Sequence, residues 1–253
     1  MSKPILAAVA LAALASLGAS APVYAEEAAP AASPLSFNAS LTTDYRYRGI
    51  SQTRLKPALQ GGVDLSHPSG FYLGAWASTI RWVKDLEGDA GVEVDVYGGY
   101  KGELAKGLGY DVGVLGYVYP SNKLATSANT TELYGALSFG PATLKYSHAV
   151  TDTFGNTDSK NSFYLDASAS FDLGGGWMLA PHLGYQKIKG PFGDAATYID
   201  GSLTLSKDFN GLVPSIALVA TDADKAFYVP GPAGNSTKFL GRSAVVLGVK
   251  YSF

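Results

Sequence analysis

Hydrophobic and polar residues alternate strictly from Leu35 to Arg48. Leu35, Phe37, Ala39, Leu41, Thr43, Tyr45 and Tyr47 fall on one face, and Ser36, Asn38, Ser40, Thr42, Asp44, Arg46 and Arg48 on the other. A helix, with about 3.6 residues per turn, would scatter these two sets around its axis, whereas a strand sorts them onto opposite sides. The stretch therefore predicts a strand between two different solvents, and at fourteen residues it is longer than most strands of soluble proteins.

The alternation recurs to the C-terminus. Eleven further strands are predicted at Ala58–His67, Phe71–Trp82, Gly91–Lys101, Leu108–Tyr119, Thr131–Phe139, Ala142–Val150, Ser162–Phe171, Trp177–Lys187, Thr197–Lys207, Leu212–Thr221 and Arg242–Phe253. In the fourth strand Val92, Val94, Val96 and Tyr100 oppose Glu93, Asp95 and Tyr97. In Phe71–Trp82 two phases compete, Tyr72, Trp76 and Ile80 against Phe71, Leu73 and Ala75.

The connections alternate too. Short turns such as Pro68-Ser69-Gly70, Gly140-Pro141, Asp172–Gly176 and Asp208–Gly211 trade places with longer polar loops such as Pro120–Asn129, Gly155–Asn161 and Asp222–Gly241. Tight turns on one rim and long loops on the other predict an all-β fold, a transmembrane antiparallel up-and-down β-barrel of about 12 strands, with both termini on the tight-turn side. Aromatics gather at the two ends of these strands. Phe37, Phe71, Tyr100, Tyr110, Phe139, Phe171, Trp177, Tyr251 and Phe253 fall near the periplasmic rim, and Tyr45, Tyr47, Phe163 and Tyr185 near the outer one. Amphipathic rings prefer membrane interfaces, so a double girdle is expected. A secreted two-sheet sandwich would share the alternation. It would explain neither the girdles nor the asymmetry of the loops.

The N-terminus fits that destination. Met1–Ala25 has Lys3, an apolar run from Ile5 to Ala19 and a small-residue exit at Val23-Tyr24-Ala25, the pattern of a secretory signal peptide. Residues 26–34 form a short Ala/Pro/Glu leader, expected to be disordered, and 35–253 the barrel. The chain has no Cys, which excludes disulfides and a lipoprotein anchor. With 19 basic and 21 acidic side chains, and Lys3 leaving with the signal, the mature chain is mildly acidic. Nucleic acid is therefore not an expected partner.

The last strand carries a further signal. Val245, Leu247, Val249, Tyr251 and Phe253 share a face, and the sequence ends on Phe253. A terminal aromatic after alternating apolar residues looks like the mark by which the barrel-insertion machinery recognises its clients, so Tyr251 and Phe253 are the expected assembly signal.

Three runs resemble a known family: Thr43-Asp44-Tyr45-Arg46-Tyr47-Arg48-Gly49-Ile50-Ser51-Gln52-Thr53, Pro57-Ala58-Leu59-Gln60-Gly61-Gly62, and Ser69-Gly70-Phe71-Tyr72-Leu73-Gly74-Ala75-Trp76-Ala77-Ser78. They are similar to the TorF-type porins, proteobacterial outer-membrane proteins of mostly uncharacterised function. Glu93–Tyr100, Tyr117–Pro120 and Glu132-Leu133-Tyr134 fit the same pattern in order. The resemblance implies a β-barrel porin in the outer membrane of a Gram-negative bacterium. It supplies no substrate.

The strand phases turn Asp44, Asp64, Glu93, Asp95, Asp111, Glu132, Asp166 and Asp200 inward, with Arg46, Arg48, Lys145, Lys250 and His182. These are the expected pore-lining residues, since fixed charges in a narrow pore set which ions dwell there. Arg46 and Arg48 are the expected constriction charges, opposed by Glu93 and Asp95. The function read from this is a passive channel for small hydrophilic solutes or ions; the alternative is a non-conducting barrel whose external loops bind a partner or ligand. No cofactor and no metal site are called for, Asp222 and Asp224 being only a weak pair for calcium. Catalysis is not expected, because Ser147 and His148 are adjacent in one strand and so face opposite sides. Outer-membrane lipid, the insertion machinery and small solutes are the expected partners. The oligomeric state is left open.

Overall fold

The computed structural model describes residues 34–253; the expected signal peptide and the leader as far as Ser33 lie outside the described residues. Twelve antiparallel strands close into one barrel. They are β1 (Leu35–Thr42), β2 (Ala58–Ser66), β3 (Phe71–Thr79), β4 (Val92–Ala105), β5 (Leu108–Val118), β6 (Thr130–Phe139) and β7 (Ala142–Ala149). Then follow β8 (Phe163–Ala169 and Phe171–Gly174, broken at Ser170), β9 (Trp177–Lys187), β10 (Tyr198–Lys207), β11 (Leu212–Thr221) and β12 (Ala244–Ser252). Each strand pairs with the next in sequence, and β12 pairs back onto β1 with Ala39 opposite Tyr251 and Leu41 opposite Val249. Closure leaves no unpaired edge, which a structure surrounded by hydrocarbon requires.

The two rims differ as the turn residues dictate. At one rim the connections after β2, β4, β6, β8 and β10 are tight. Gly174, Gly175 and Gly176 all take positive φ at the β8–β9 turn, a run that side chains would strain. Both described ends of the chain lie at this rim. The Phe253 N–H donates to the Phe37 carbonyl at 3.0 Å, and the Phe37 N–H to that of Phe253 at 2.9 Å. Long loops form the opposite rim, with the short helices α1 (Trp82–Asp85) and α2 (Gly193–Ala196).

Sidedness follows the sequence. Leu59, Leu73, Val96, Val112, Leu133, Leu144, Leu183, Leu218 and Val245 stand exposed on the outer wall, where they form an apolar belt. Polar partners from the alternate positions fill the interior. The phase of β3 is settled: Phe71 and Leu73 face outward, while the Tyr72 hydroxyl meets Asp111 and Trp76 packs on Tyr45 inside. At the tight-turn rim Phe71, Tyr100 and Tyr110 form one outer aromatic cluster, and Tyr251, Phe253 and Phe37 another.

The largest departure from expectation is at β1, which ends at Thr42 instead of reaching Arg48. Tyr45 and Tyr47 are therefore not members of an outer girdle. Beyond Thr42 regular pairing gives way to side-chain bonds: Thr42 donates its hydroxyl to the Asp44 carbonyl at 3.2 Å, while Thr43, still donating its N–H to the Leu247 carbonyl across the seam at 2.9 Å, accepts the Leu247 N–H on its hydroxyl at 3.0 Å. Such short hydroxyl-to-backbone bonds compete with strand pairing.

The long 222–243 loop is also more ordered than a free loop. Its 3-10 turn Pro232–Gly234 packs on α1, and Gly234 is buried beside Asp85, which is ion-paired to Arg54. Thr237–Lys238 is one of its exposed stretches. An epitope inserted between these two residues is expected to be labelled on intact cells and to leave folding unaffected, because exposed loop segments tolerate insertion. Labelling only after the outer membrane is permeabilised would invert the barrel's orientation.

Candidate functional site in the barrel lumen

Residues 43–57, between β1 and β2, fold into the barrel. Arg46–Tyr47 pairs with Ile50–Ser51 as a small hairpin whose two-residue tip is Arg48-Gly49. Arg48 and Gly49 both have positive φ, 45° and 79°, the conformation that a two-residue turn of type I′ needs. Glycine meets this at no cost. Arg48 is held there by its side chain.

The hairpin crosses the lumen and is fastened on several strands. Tyr45 donates its hydroxyl to Glu93 of β4 at 2.6 Å and lies edge-on to Trp76 of β3. Tyr47 reaches Tyr117 of β5 at 2.7 Å. The Arg48 guanidinium donates to Glu132 of β6 at 2.7 Å and to Gln186 of β9 at 2.6 Å, and lies 4.2 Å over the Tyr164 ring of β8. At the tip, a side chain on Gly49 would come within 2.7 Å of the Asp200 Cβ of β10, so the backbone itself is wedged on that wall. Burial, with the charges of Glu93 and Asp95, holds the Tyr45 phenol well above its ordinary pKa; burial does the same for Tyr47. Both remain O–H donors. In an Arg–carboxylate pair this shielded from water much of the attraction goes to offset desolvation, but removing one partner strands the other as an unpaired buried charge.

The charges are not paired as the sequence suggested. Glu93 and Asp95 do not oppose Arg46 and Arg48. Arg46 binds Asp44 at 2.6 Å and the carbonyls of Gly49, Leu240 and Arg242, while Arg48 takes Glu132. Asp64 accepts from Tyr97 at 2.5 Å, and Asp111 from Tyr72. Lys145 lies 4.1 Å over the Tyr134 ring. His182 stands between Asp166, at 2.9 Å from Nε2, and Asp200, at 3.6 Å from Nδ1. Lys250 projects inward from β12, paired with Ser40 across the seam. Asp95 is fully buried, and neither of its oxygens has a hydrogen-bond partner among the described residues.

Several lumen residues were not among the expected pore-lining groups: Tyr45 and Tyr47, expected on the outer face, Gly49, Gln186, and the wall tyrosines, although the alternation had turned Tyr97 inward. The one available signal was Arg48-Gly49 between Tyr47 and Ile50, a two-residue turn read through as continuous strand. The tyrosines share a device. Tyr72 lies over Gly99, Tyr97 over Gly74, Tyr134 over Gly113 and Tyr164 over Gly184, each ring where a neighbour's Cβ would otherwise sit. They fill the β3–β8 side. On the other side a 130 Å3 cavity remains between the hairpin and the wall, lined by Asp44, Arg46, His182, Asp200, Ser202, Ala217 and Val246 among others.

Ser147 is buried inside, while His148 is bonded outside to Tyr146 and Asn161. Asp222 and Asp224 accept backbone N–H groups, those of Ile199 and of Ala226 and Phe227, so both carboxylates are engaged in loop structure.

A closed twelve-stranded barrel with an apolar outer belt, a charged lumen and an inward-folded loop has the architecture of an outer-membrane porin. The chain belongs to the Gcw_chp family, described as a bacterial protein of unknown function, whose family model matches residues 26–253. No curated protein matches its sequence. Among solved structures, the KdgM porin superposes with a TM-score of 0.54 at 12% identity, covering 87% of this chain and 98% of its own. A second KdgM structure, in complex with disordered oligogalacturonate, gives 0.55 at 11%, and the NanC porin 0.52 at 12%, each with the same coverage. At these identities the likeness is one of fold.

Proposed function

We propose that the protein is an outer-membrane channel for passive diffusion of small hydrophilic solutes or ions, with the inward hairpin as its constriction. The observation that carries this is the hairpin itself: a barrel wall lined with charge, and a loop folded across it that narrows the lumen without belonging to the wall. The names of the similar structures and the TorF-type runs support the same reading. Residues 1–25 direct export, the outer belt faces lipid, and Tyr251 and Phe253 address the insertion machinery. The thirteen inward charges named from the sequence set the field of the pore.

That field is mildly negative, because eight acids face four bases and His182, so purified protein in planar bilayers is expected to give small, weakly cation-selective pores. Arg46→Ala removes fixed positive charge from the constriction and should raise the cation preference. Reversal potentials in a salt gradient measure this. The shift should shrink in concentrated salt, where the screening length falls to about 3 Å at 1 M. A conducting pore indifferent to Arg46 would remove that residue from the pathway. The second reading, a non-conducting barrel that binds a ligand through its loops, draws on how fully the hairpin and tyrosines fill the lumen. Absence of conductance in well-folded protein would select it.

A further inference from the structure

We propose that solutes pass off-centre, through a slot between the hairpin and the β9–β12 wall, and that this slot favours compact zwitterions over ions of either sign. The inference rests on the channel reading above and deepens it.

The two halves of the lumen are built differently. On β3–β8 the inward positions carry Tyr72, Trp76, Tyr97, Tyr117, Tyr134 and Tyr164, several of them hydrogen-bonded to a neighbour or to the hairpin. Tyr45, Tyr47 and Arg48 bind on this same half. No low-energy motion of one side chain clears it, because each ring is locked by packing on a glycine or by a hydroxyl bond. On β10–β12, besides Asp200 at the hairpin tip, the inward positions facing the hairpin are Ser202, Thr204, Ala217, Val219 and Val246, all small, and the 130 Å3 cavity lies there. Gly49 lets the hairpin tip approach Asp200 without filling the slot beneath it.

The charges along the slot are balanced. The hairpin side presents Asp44 and Arg46, already paired at 2.6 Å, and the edge of Arg48, whose guanidinium is taken by Glu132, while the wall side presents His182 and Asp200. Arg46 also retains one buried guanidinium nitrogen, Nη2, with no partner among the described residues. A lone ion entering the slot meets opposite and like charge at similar range, and loses its water for little return. A molecule of amino-acid size carrying both a carboxylate and an ammonium meets a complement for each end.

The chain has no natural Cys, so single cysteines report position cleanly. Ala217→Cys and Val246→Cys in the slot are compared with Ala136→Cys on the inward face of β6, each reconstituted in bilayers and treated with a bulky polar methanethiosulfonate. Current should fall by more than half at the two slot positions and stay near its starting value at Ala136. Equal block at all three overturns the off-centre path. An unmodified channel that carries no current overturns the channel reading itself, and this inference with it. For the solute class, tracer entry into proteoliposomes is measured for glycine, glycolate and ethanolammonium, which are similar in size. Glycine should enter several-fold faster than either ion, and Asp200→Asn should shift the ranking toward glycolate. If glycine shows no advantage, or Asp200→Asn leaves the ranking unchanged, the zwitterion preference is wrong while the path stands on the cysteine result.

Discussion

Replacing residues 44–53 with a two- to four-residue Asn/Gly turn is expected to raise single-channel conductance several-fold and leave the barrel folded. The hairpin contributes nothing to the wall ladder: β1 ends at Thr42, β2 begins at Ala58, and these two residues are already paired across the strands. With Thr43 and Arg54–Pro57 retained, the inserted turn completes a loop of seven to nine residues between them, long enough to close without strain. What is lost is the obstruction, namely Tyr45 on Glu93, Tyr47 on Tyr117 and Arg48 on Glu132 and Gln186. The stranded carboxylates of Glu93 and Glu132 would then face an open aqueous lumen. Water solvates them there, so the penalty for leaving a buried charge unpaired does not apply. Heat-modifiable migration on gels verifies folding, and bilayer recordings give the conductance. A folded variant that conducts like the parent would show that the hairpin is not the constriction.

Deleting Phe253 is expected to have an equally large effect on assembly. Its ring stacks on Phe37 with centroids 5.9 Å apart and on Tyr251 at 5.6 Å, and its backbone exchanges two hydrogen bonds with Phe37. These contacts fasten the seam where β12 meets β1, the one closure in the barrel made by strands from opposite ends of the chain. Loop-closure entropy makes this pairing the hardest to form, so losing its terminal bonds weakens the step that seals the sheet. The aromatic ring is also an interfacial anchor. Outer-membrane yield of the folded form should drop sharply, with unfolded chain collecting in the periplasm. Phe253→Ala keeps the backbone bonds and removes the ring, so comparison of the two variants separates seam from ring. Normal yield from both would make the terminal residue dispensable.

The wall of the barrel was legible because a membrane strand has only two faces and each meets a uniform environment. Val92, Val94 and Val96 could only be outside once Glu93 and Asp95 were inside, and the structure keeps that division in the strands whose phase the sequence defined, in β1 only as far as Thr42. The β3 phase was not legible, since Tyr72 and Trp76 are as amphipathic as a girdle residue and as bulky as a core residue. Its neighbours decided it, through Asp111 and Tyr45.

The sequence by itself determined the period, the number of strands, and the alternation of tight turns and long loops. All of these are set within a few residues of chain, by the two-residue repeat of the strand and by the turn propensities of Gly, Pro, Asn and Asp. Only the tertiary structure decided that Asp44–Thr53 leaves the wall and crosses the lumen, because the alternation of Tyr45, Arg46, Tyr47 and Arg48 is the same for a strand in lipid and for a hairpin inside a pore. What selects between them lies far away in sequence: Glu93, Glu132, Gln186 and Asp200 come together only when the sheet closes, and they supply the bonds and the space that hold the hairpin in place.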